Sequence, residues 1–188
     1  GMVSTCDDPQ GRATVVDALG PELDYMGIHP VGRLDTYSTG ALLLSNDGEF
    51  TYRLTHPKHN VSKTYRVWVE GVPGEISLSA WRAGIELDQR MTRPAKVEVL
   101  EKDDSRKTLL RITLWEGRNR QIRRVAQVLG HRVLSLHRTA IGPVRLGRLP
   151  AGEYRSLSSE EVKALLAEST SLTGRDVPSQ RPIQSTRY

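Results

Sequence analysis

A single acidic residue in a glycine-containing loop is the first candidate for chemistry in this sequence. Asp35 lies in HPVGRLDTYSTGALLLSNDGEF (29–50), two residues after Arg33 and shortly before an apolar run. A carboxylate in such a loop can act as a nucleophile or as a general base. Taken by itself, the same pattern is also typical of a turn-forming or helix-capping aspartate.

A tyrosine on a predicted strand is the second candidate. The segment KTYRVWVEG (63–71) alternates between apolar and polar residues, which places Tyr65, Val67 and Val69 on one face of a strand. From the residues alone, an ordinary core tyrosine is favoured there, because its face also carries two valines.

The charge of the chain is strongly uneven. Residues 111–148 contain nine arginines, one glutamate and no lysine, whereas residues 1–50 contain eight acids and two bases. Arginine suits bidentate phosphate contacts and stacking on bases, so a basic band of this kind indicates a polyanion site. A solvated basic face is the alternative.

Several classes of protein are disfavoured by the composition. Cys6 is the only cysteine, which excludes an internal disulfide and a multi-cysteine metal site. The five histidines show no metal-ligand spacing, and neither a nucleophile-elbow motif nor a glycine-rich nucleotide loop is present. No apolar run approaches the ~18 residues of a membrane span, and the N-terminus has no secretion signal. We therefore expect a soluble cytoplasmic protein with no metal site and no membrane partner.

The elements that must position these residues can be predicted from periodicity and breakers. A short helix broken near Gly20-Pro21 is predicted at 12–26, and further short helices are predicted at 48–57 and within 117–131. Strands are predicted at 41–45, 63–71, 95–101 and 107–115. Residues 169–188 are rich in Ser, Thr, Pro, Gln and Arg, which predicts a disordered tail. Strands thus outnumber helices.

The segment GRNRQIRRVAQVLGH (117–131) carries the third candidate. Its apolar residues fall at i, i+3, i+4 and i+7 and predict a buried stripe that ends near Gly130. The opposite stripe consists of Arg120, Arg123, Arg124 and Gln127. This pattern is typical of an anion-facing helix, and a plain amphipathic surface helix is the alternative.

Four motifs in order and spacing resemble one enzyme family. They are GRLD (32–35), KTYRV (63–67), EGRNRQIRR (116–124) and LHRTAIGPVRLGRLPAGEYRSL (136–157). The chain is similar to the RsuA family of bacterial ribosomal RNA pseudouridine synthases, and within it to the large-subunit, RluB-type branch. The resemblance implies an α+β fold, with a mixed, mostly antiparallel sheet, flanking helices and a central cleft, over a catalytic domain at 1–168.

The resemblance also implies roles for individual residues. Asp35 matches the essential aspartate, which acts at the sugar as nucleophile or base. Tyr65 matches the tyrosine that packs on the uracil and is a candidate for removing the C5 proton, and Arg123 matches the arginine that pairs with the aspartate. Leu136 matches an apolar contact under the base, although a core leucine is equally natural. RNA contacts are expected from the basic motif residues Arg33, Lys63, Arg118, Arg120, Arg124 and Arg138.

The implied activity is isomerisation of a uridine to pseudouridine in ribosomal RNA, without cofactor or metal. The expected partner is ribosomal RNA, 23S in preference to 16S, or an assembling ribosomal subunit, and a monomer is expected. Family members usually carry a small S4 RNA-binding domain and a first strand before the segment that resembles GMVSTCDDPQGR, with which this chain begins. A non-catalytic RNA-binding or ribosome-assembly module with the same fold is the alternative, as is a small-subunit substrate.

Overall fold

A central sheet organises the molecule in the computed structural model, which describes residues 14–20, 26–103 and 106–171. Five strands have the order β10–β9–β4–β8–β7 and are antiparallel, and β2 adds to β9 in parallel. The strands are β1 (His29–Val31), β2 (Thr39–Gly40), β3 (Leu43–Ser45), β4 (Lys63–Glu70), β5 (Glu86–Leu87), β6 (Arg90–Met91), β7 (Lys96–Asp103), β8 (Lys107–Leu114), β9 (Val133–Ile141) and β10 (Val144–Arg145). The helices are α1 (Gly48–Thr55), α2 (Glu75–Ala83), α3 (Gln121–Val128) and α4 (Ser159–Ser171).

One hydrophobic cluster lies on the face of the sheet that α2 and α3 cover. Strands β4 and β8 pair over their full length, from Lys63 opposite Leu114 to Glu70 opposite Lys107. Val67, Val69 and Leu110 are completely or almost completely buried on this face, because the period of two in each strand directs them to the same side. Trp81 of α2 and Val125 of α3 belong to the same cluster.

A second cluster packs α1 and α4 against the other end of the central strands. Phe50 and Leu54 of α1, Val61, Ile141 of β9 and Leu165 of α4 form part of it. Helix α1 begins where the Asp47 carboxylate accepts hydrogen bonds from the backbone amides of the next helical residues, as expected for an N-cap aspartate. Strand β9 connects the two clusters, because its Leu136 belongs to the first and its Ile141 to the second.

Most predicted elements are confirmed, and their bounds differ by a few residues. The strands at 63–71, 95–101 and 107–115 correspond to β4, β7 and β8, and the helix at 48–57 corresponds to α1. The predicted strand at 41–45 is shorter, because only β3 pairs with β1. The predicted α+β class with a mostly antiparallel sheet is confirmed.

Two predicted helices are corrected. Helix α3 covers only Gln121–Val128 within 117–131, since Arg120 adopts a left-handed conformation (φ 48°) and therefore lies outside the helix. Within the predicted helix at 12–26, the described part contains only a single 3₁₀ turn, Asp17–Leu19, which ends at Gly20. Residues 12–13 and 21–25 lie outside the described residues.

The last helix alters one predicted boundary. Helix α4 continues to Ser171, so the start of the predicted tail at 169 falls inside a helix. The rest of that predicted tail, 172–188, lies outside the described residues. Within the described part of the chain, no helix has the length and apolar character to cross a membrane. No group of three or more potential His, Cys, Asp or Glu metal ligands occurs there either.

Candidate active site

A cleft of about 440 Å³ opens between the two hydrophobic clusters. Leu114, Ile122 and Leu136 from the first cluster and Leu54 and Ile141 from the second form part of its apolar lining. Its polar lining includes several of the residues that the sequence singled out, namely Arg33, Asp35, Lys63, Tyr65, Arg118, Arg120 and Arg138. The cleft therefore brings an acid, an aromatic ring and cations together.

The loop that carries Asp35 is held by strand β9. Gly40 pairs with Arg138, and a Cβ atom at Gly40 would lie 2.2 Å from the Arg138 carbonyl oxygen, so only glycine permits this approach. The Arg138 side chain is 4% exposed, and it donates from Nε to the Ala41 carbonyl (2.7 Å) and from Nη1 to the Arg33 carbonyl (3.2 Å). At the same edge, the Thr39 hydroxyl lies 2.8 Å from His137 Nδ1. The Arg138 guanidinium thus positions the Asp35 loop, while its Nη2 is buried without an acceptor among the described residues. The RNA contact predicted for Arg138 stays a prediction.

Three of the predicted residues line the cleft, Asp35 from a loop, Tyr65 from β4 and Leu136 from β9. Asp35 is half-buried, and its carbonyl accepts a hydrogen bond from the Ser38 amide (2.8 Å) that closes the turn. Tyr65 is half-buried on β4, and Leu136 of β9 is opposite Val67 in the register. Because alternate residues share a face, Tyr65 and Leu136 lie on the same side of the sheet. An apolar wall with one aromatic ring thus lies in the same cleft as the carboxylate.

Arg123 does not form the expected ion pair with Asp35. Its Nη2 donates instead to the carbonyl of Tyr37, two residues along the same loop, at 2.6 Å. Burial lowers the pKa of Arg123 and the neighbouring Arg120 charge lowers it further, whereas the Asp35 charge opposes them. Arg123 Nε is buried and has no acceptor among the described residues. Arg123 thus supports the Asp35 loop by donating to a backbone carbonyl of that loop. Its Nε remains a donor without an acceptor among the described residues.

Lys63 is the most strongly perturbed titratable group of the cleft. Burial lowers the pKa of Lys63 to about 8, the Arg138 charge acts in the same direction, and the Glu168 charge opposes both. The Lys63 ammonium donates to the Val61 carbonyl at 2.9 Å. Lys63 and Tyr65 lie on the same face of β4, so this amine and the phenol border the same space.

The remaining predicted RNA-binding arginines have different environments. Arg33 and Arg120 are exposed and line the cleft. Arg118 also lines the cleft, but its guanidinium donates to the carbonyls of Arg90 (2.9 Å) and Met91. Its Nε also lies 3.3 Å from the Glu116 carboxylate. Arg124 forms an ion pair with Asp88 (2.6 Å), so its charge is already matched.

Two supporting contacts of the site carried no recognisable signal in the sequence. The Glu168 carboxylate accepts hydrogen bonds from the amide (2.8 Å) and the hydroxyl (2.6 Å) of Ser62, directly before Lys63. His137 contacts the loop through Thr39. Both contacts join residues about a hundred positions apart, which local periodicity cannot reveal.

Comparison with known proteins shows which family this chain belongs to. A family model described as RNA pseudouridylate synthase matches residues 1–127, which is more than half of the chain. The chain belongs to the RNA pseudouridylate synthase family. A crystal structure of a pseudouridylate synthase is 38% identical, with a TM-score of 0.79, over 88% of this chain and 69% of that chain. The predicted family, enzyme class and fold are therefore confirmed for this pseudouridylate synthase family member.

Relatives in the family include enzymes named for each ribosomal subunit. Ribosomal large subunit pseudouridine synthase B of Bacillus subtilis is 40% identical over 89% of this chain and 68% of its own length. Ribosomal small subunit pseudouridine synthase A of Vibrio cholerae is 36% identical over 85% of this chain and 68% of its own length. The chain thus spans about two thirds of the length of these pseudouridylate synthases.

Proposed function

We propose that the chain isomerises a uridine to pseudouridine in large-subunit ribosomal RNA. The observation that carries the proposal is the cleft between the two clusters, in which Asp35, Tyr65 and Leu136 line one space in a member of the RNA pseudouridylate synthase family. The reaction detaches the uracil from its ribose, rotates it and rejoins it through C5. An acid near a flat apolar wall suits a substrate that combines a sugar with a planar base.

In this proposal, the substrate nucleotide is flipped out of the RNA and into the cleft. Flipping a base costs a few kcal/mol of stacking and pairing, which contacts inside the pocket must offset. Tyr65 and Leu136 would supply these contacts to the uracil, and the exposed Arg33 at the cleft would help displace the nucleotide. Asp35 then acts at the sugar, as nucleophile or as base, and the Tyr65 oxygen takes the proton from C5 while the phenol releases its own proton to solvent.

The role proposed for Arg123 is to hold the Asp35 carboxylate when the substrate is bound. Support comes from its hydrogen bond to the Tyr37 carbonyl and from the buried Nε that has no acceptor among the described residues. A buried donor without an acceptor is costly, so a nearby carboxylate that accepts from it would be stabilising. Catalytic hydrogen bonds of this kind commonly tighten only in the substrate complex.

The large subunit is proposed as the source of the RNA because of the four motifs and the Bacillus subtilis relative. We also propose that the protein acts as a monomer in the cytoplasm, on free 23S RNA or on an assembling subunit. Lys63, Arg33 and Arg120 are proposed to contact the RNA, since all three line the cleft. Arg118, Arg124 and Arg138 are instead assigned to positioning, because their guanidinium groups already have protein partners.

Incubation of the chain with unmodified 23S and 16S RNA, followed by chemical mapping of pseudouridine, tests this function. The expected result is a new pseudouridine in 23S RNA that does not appear with the Asp35→Asn variant. A new site confined to 16S RNA would assign the small subunit as the substrate. RNA binding without any new site in either RNA would contradict the enzymatic proposal and favour a binding module.

A further inference from the structure

A second concave surface lies beside the cleft, and we call it the arginine groove. It has a volume of about 520 Å³. The polar side chains that define it are Arg120, Arg123, Gln127, His131 and Arg132. Neither an aspartate nor a glutamate is among the described residues that line it. A concave surface with three arginines and no acid in its lining attracts anions.

The groove occupies a single stripe of helix α3. Arg123 and Gln127 are four residues apart, so they lie on one side of the helix, and Arg120, directly before the helix, lines the same groove. Arg124 belongs to a different side, where its guanidinium is paired with Asp88 at 2.6 Å. The arginines of this segment therefore divide into a group that faces the groove and one that is neutralised by a protein partner.

Two residues of the groove, His131 and Arg132, lie directly before β9 and contact Glu70. His131 Nδ1 lies 2.9 Å from the Glu70 carbonyl oxygen. A carbonyl oxygen can only accept, so Nδ1 carries the proton and donates it in this contact. Arg132 is 73% exposed and pairs with the Glu70 carboxylate through Nε at 3.0 Å. An ion pair this exposed contributes little energy, so the Arg132 guanidinium can also bind a second anion.

Arg120 connects the groove to the cleft, because its side chain lines both. From Arg123 to Gln127 the helix rises about 6 Å at ~1.5 Å per residue. In a duplex, the phosphates of one strand recur every ~3.4 Å along the axis, so this length spans more than one of them. A strand whose target nucleotide occupies the cleft can therefore continue past Arg120 and place more than one phosphate in the groove.

We propose that the arginine groove binds the sugar-phosphate backbone of the RNA strand on one side of the target uridine. This inference rests on the proposed function for the location of the target nucleotide. Three guanidinium groups and no acid line the groove, so it suits phosphates and contributes affinity and strand direction more than sequence choice.

Binding of short single-stranded RNAs tests the proposal without any need for turnover. A short RNA with a central uridine is compared with versions extended on the 5′ side or on the 3′ side. For the unmodified chain, extension on one side should tighten binding more than extension on the other. In a Gln127→Glu, Arg132→Glu double variant that advantage should disappear, with a loss of roughly tenfold or more in affinity for the longer RNA.

The matched control is Arg111→Glu. Arg111 is also an exposed arginine paired with a glutamate of the neighbouring strand, with Glu98 at 3.3 Å, and it lines neither the cleft nor the groove. This control should keep the one-sided advantage. The proposal is overturned if the double variant keeps it as well, or if both extensions tighten binding equally in the unmodified chain. One-sided binding in a chain that forms no pseudouridine would retain the groove and remove the proposed function.

Discussion

The chemistry of the site depends on one carboxylate in a loop that is fixed by backbone contacts. Replacing Asp35 with Asn keeps the shape of the side chain and removes its negative charge and its nucleophilic oxygen. We expect pseudouridine formation to be abolished and RNA affinity to be unchanged, because the cations of the cleft remain. Product mapping together with a binding titration checks both expectations.

The control for Asp35→Asn is Glu101→Gln, which neutralises an exposed acid on β7 that does not line the cleft. This variant should keep the activity of the unmodified chain. Residual product with Asp35→Asn, at a rate equal to that of the control, would remove Asp35 from the chemistry. A parallel loss of RNA binding would instead assign Asp35 a structural role in the loop.

Lys63 gives a pH-dependent prediction at the same scale. Burial lowers the pKa of Lys63 to about 8 in the folded chain, against an ordinary value of 10.5. Between these values the unfolded chain binds more protons than the folded chain, so this residue makes the free energy of unfolding rise with pH. A Lys63→Met variant lacks the proton, so the stability of the unmodified chain relative to it should increase from pH 8 to pH 10.

Urea denaturation of both proteins across this pH range measures the difference. Lys102→Met, at an exposed position on β7, is the matched control, and its stability relative to the unmodified chain should not follow the same trend. A constant difference between the unmodified chain and Lys63→Met would show that Lys63 is not desolvated. The measurement is made without RNA, because a bound phosphate would favour the charged form of the Lys63 amine.

The residues that the sequence identified differ in how far their surroundings could be predicted. Tyr65 follows from strand periodicity and from the resemblance, Leu136 follows from the resemblance alone, and both line the cleft. The burial of Arg138 could not be predicted, because it depends on the parallel pairing of β2 with β9 through Gly40. The same holds for Arg118, whose acceptors are backbone carbonyls about thirty residues earlier in the chain.

At the scale of elements, α4 supports the site although it supplies no residue to it. Its Glu168 carboxylate binds both the amide and the hydroxyl of Ser62, and Arg53 and His59 contact the carbonyls of Leu166 and Ser169. These contacts fix the end of α4 against the chain that enters β4. The position of Lys63 at the start of β4 therefore depends on a helix about a hundred residues later.

Replacement of Glu168 with Ala should destabilise the fold by roughly 1–3 kcal/mol, because it leaves the Ser62 amide without its acceptor. The measurement is chemical denaturation, with Lys163→Ala on the exposed side of α4 as the control. The free energy of unfolding should change far less in the control. Equal effects of the two substitutions would show that α4 is held by its apolar face alone.

Helix α3 illustrates which properties of an element the sequence determines. The apolar spacing predicted the buried stripe correctly, and Ile122, Val125 and Ala126 are buried. The opposite stripe was predicted as one anion-facing surface, and the structure divides it between the groove and the ion pair with Asp88. That division depends on where the β5–β6 turn lies, and this is a property of the tertiary structure.

At the scale of the whole molecule, the cleft lies between the two hydrophobic clusters, and the Asp35 loop and part of the basic band line it together. Strand β9 contributes residues to both clusters and pairs with β4, which contributes to the first, so the cleft is bounded by the most extensively paired part of the sheet. The net charge of +5 matters less than its distribution, because the exposed arginines Arg33, Arg120 and Arg132 line the cleft or the groove.

This distribution predicts how the affinity for RNA responds to salt. Each phosphate that is neutralised by the protein releases condensed cations, so log affinity falls with log salt concentration by about 0.7–0.9 per contact. Arg120 lines both concave surfaces and is exposed, so Arg120→Gln should reduce this slope by about one contact. Arg124→Gln should leave the slope nearly unchanged, because the Arg124 charge is already matched by Asp88.

The measurement is titration of the same RNA at several salt concentrations, with the unmodified chain and both variants. It decides whether the RNA contacts Arg124 as well as Arg120. Unequal slopes for Arg120→Gln and Arg124→Gln would show that the RNA contacts Arg120 and not Arg124, since the two residues are four positions apart and carry the same charge. Equal reductions would mean that RNA displaces Asp88 from Arg124. The whole arginine stripe would then bind the strand, and the path through the groove would be wider than the free chain indicates.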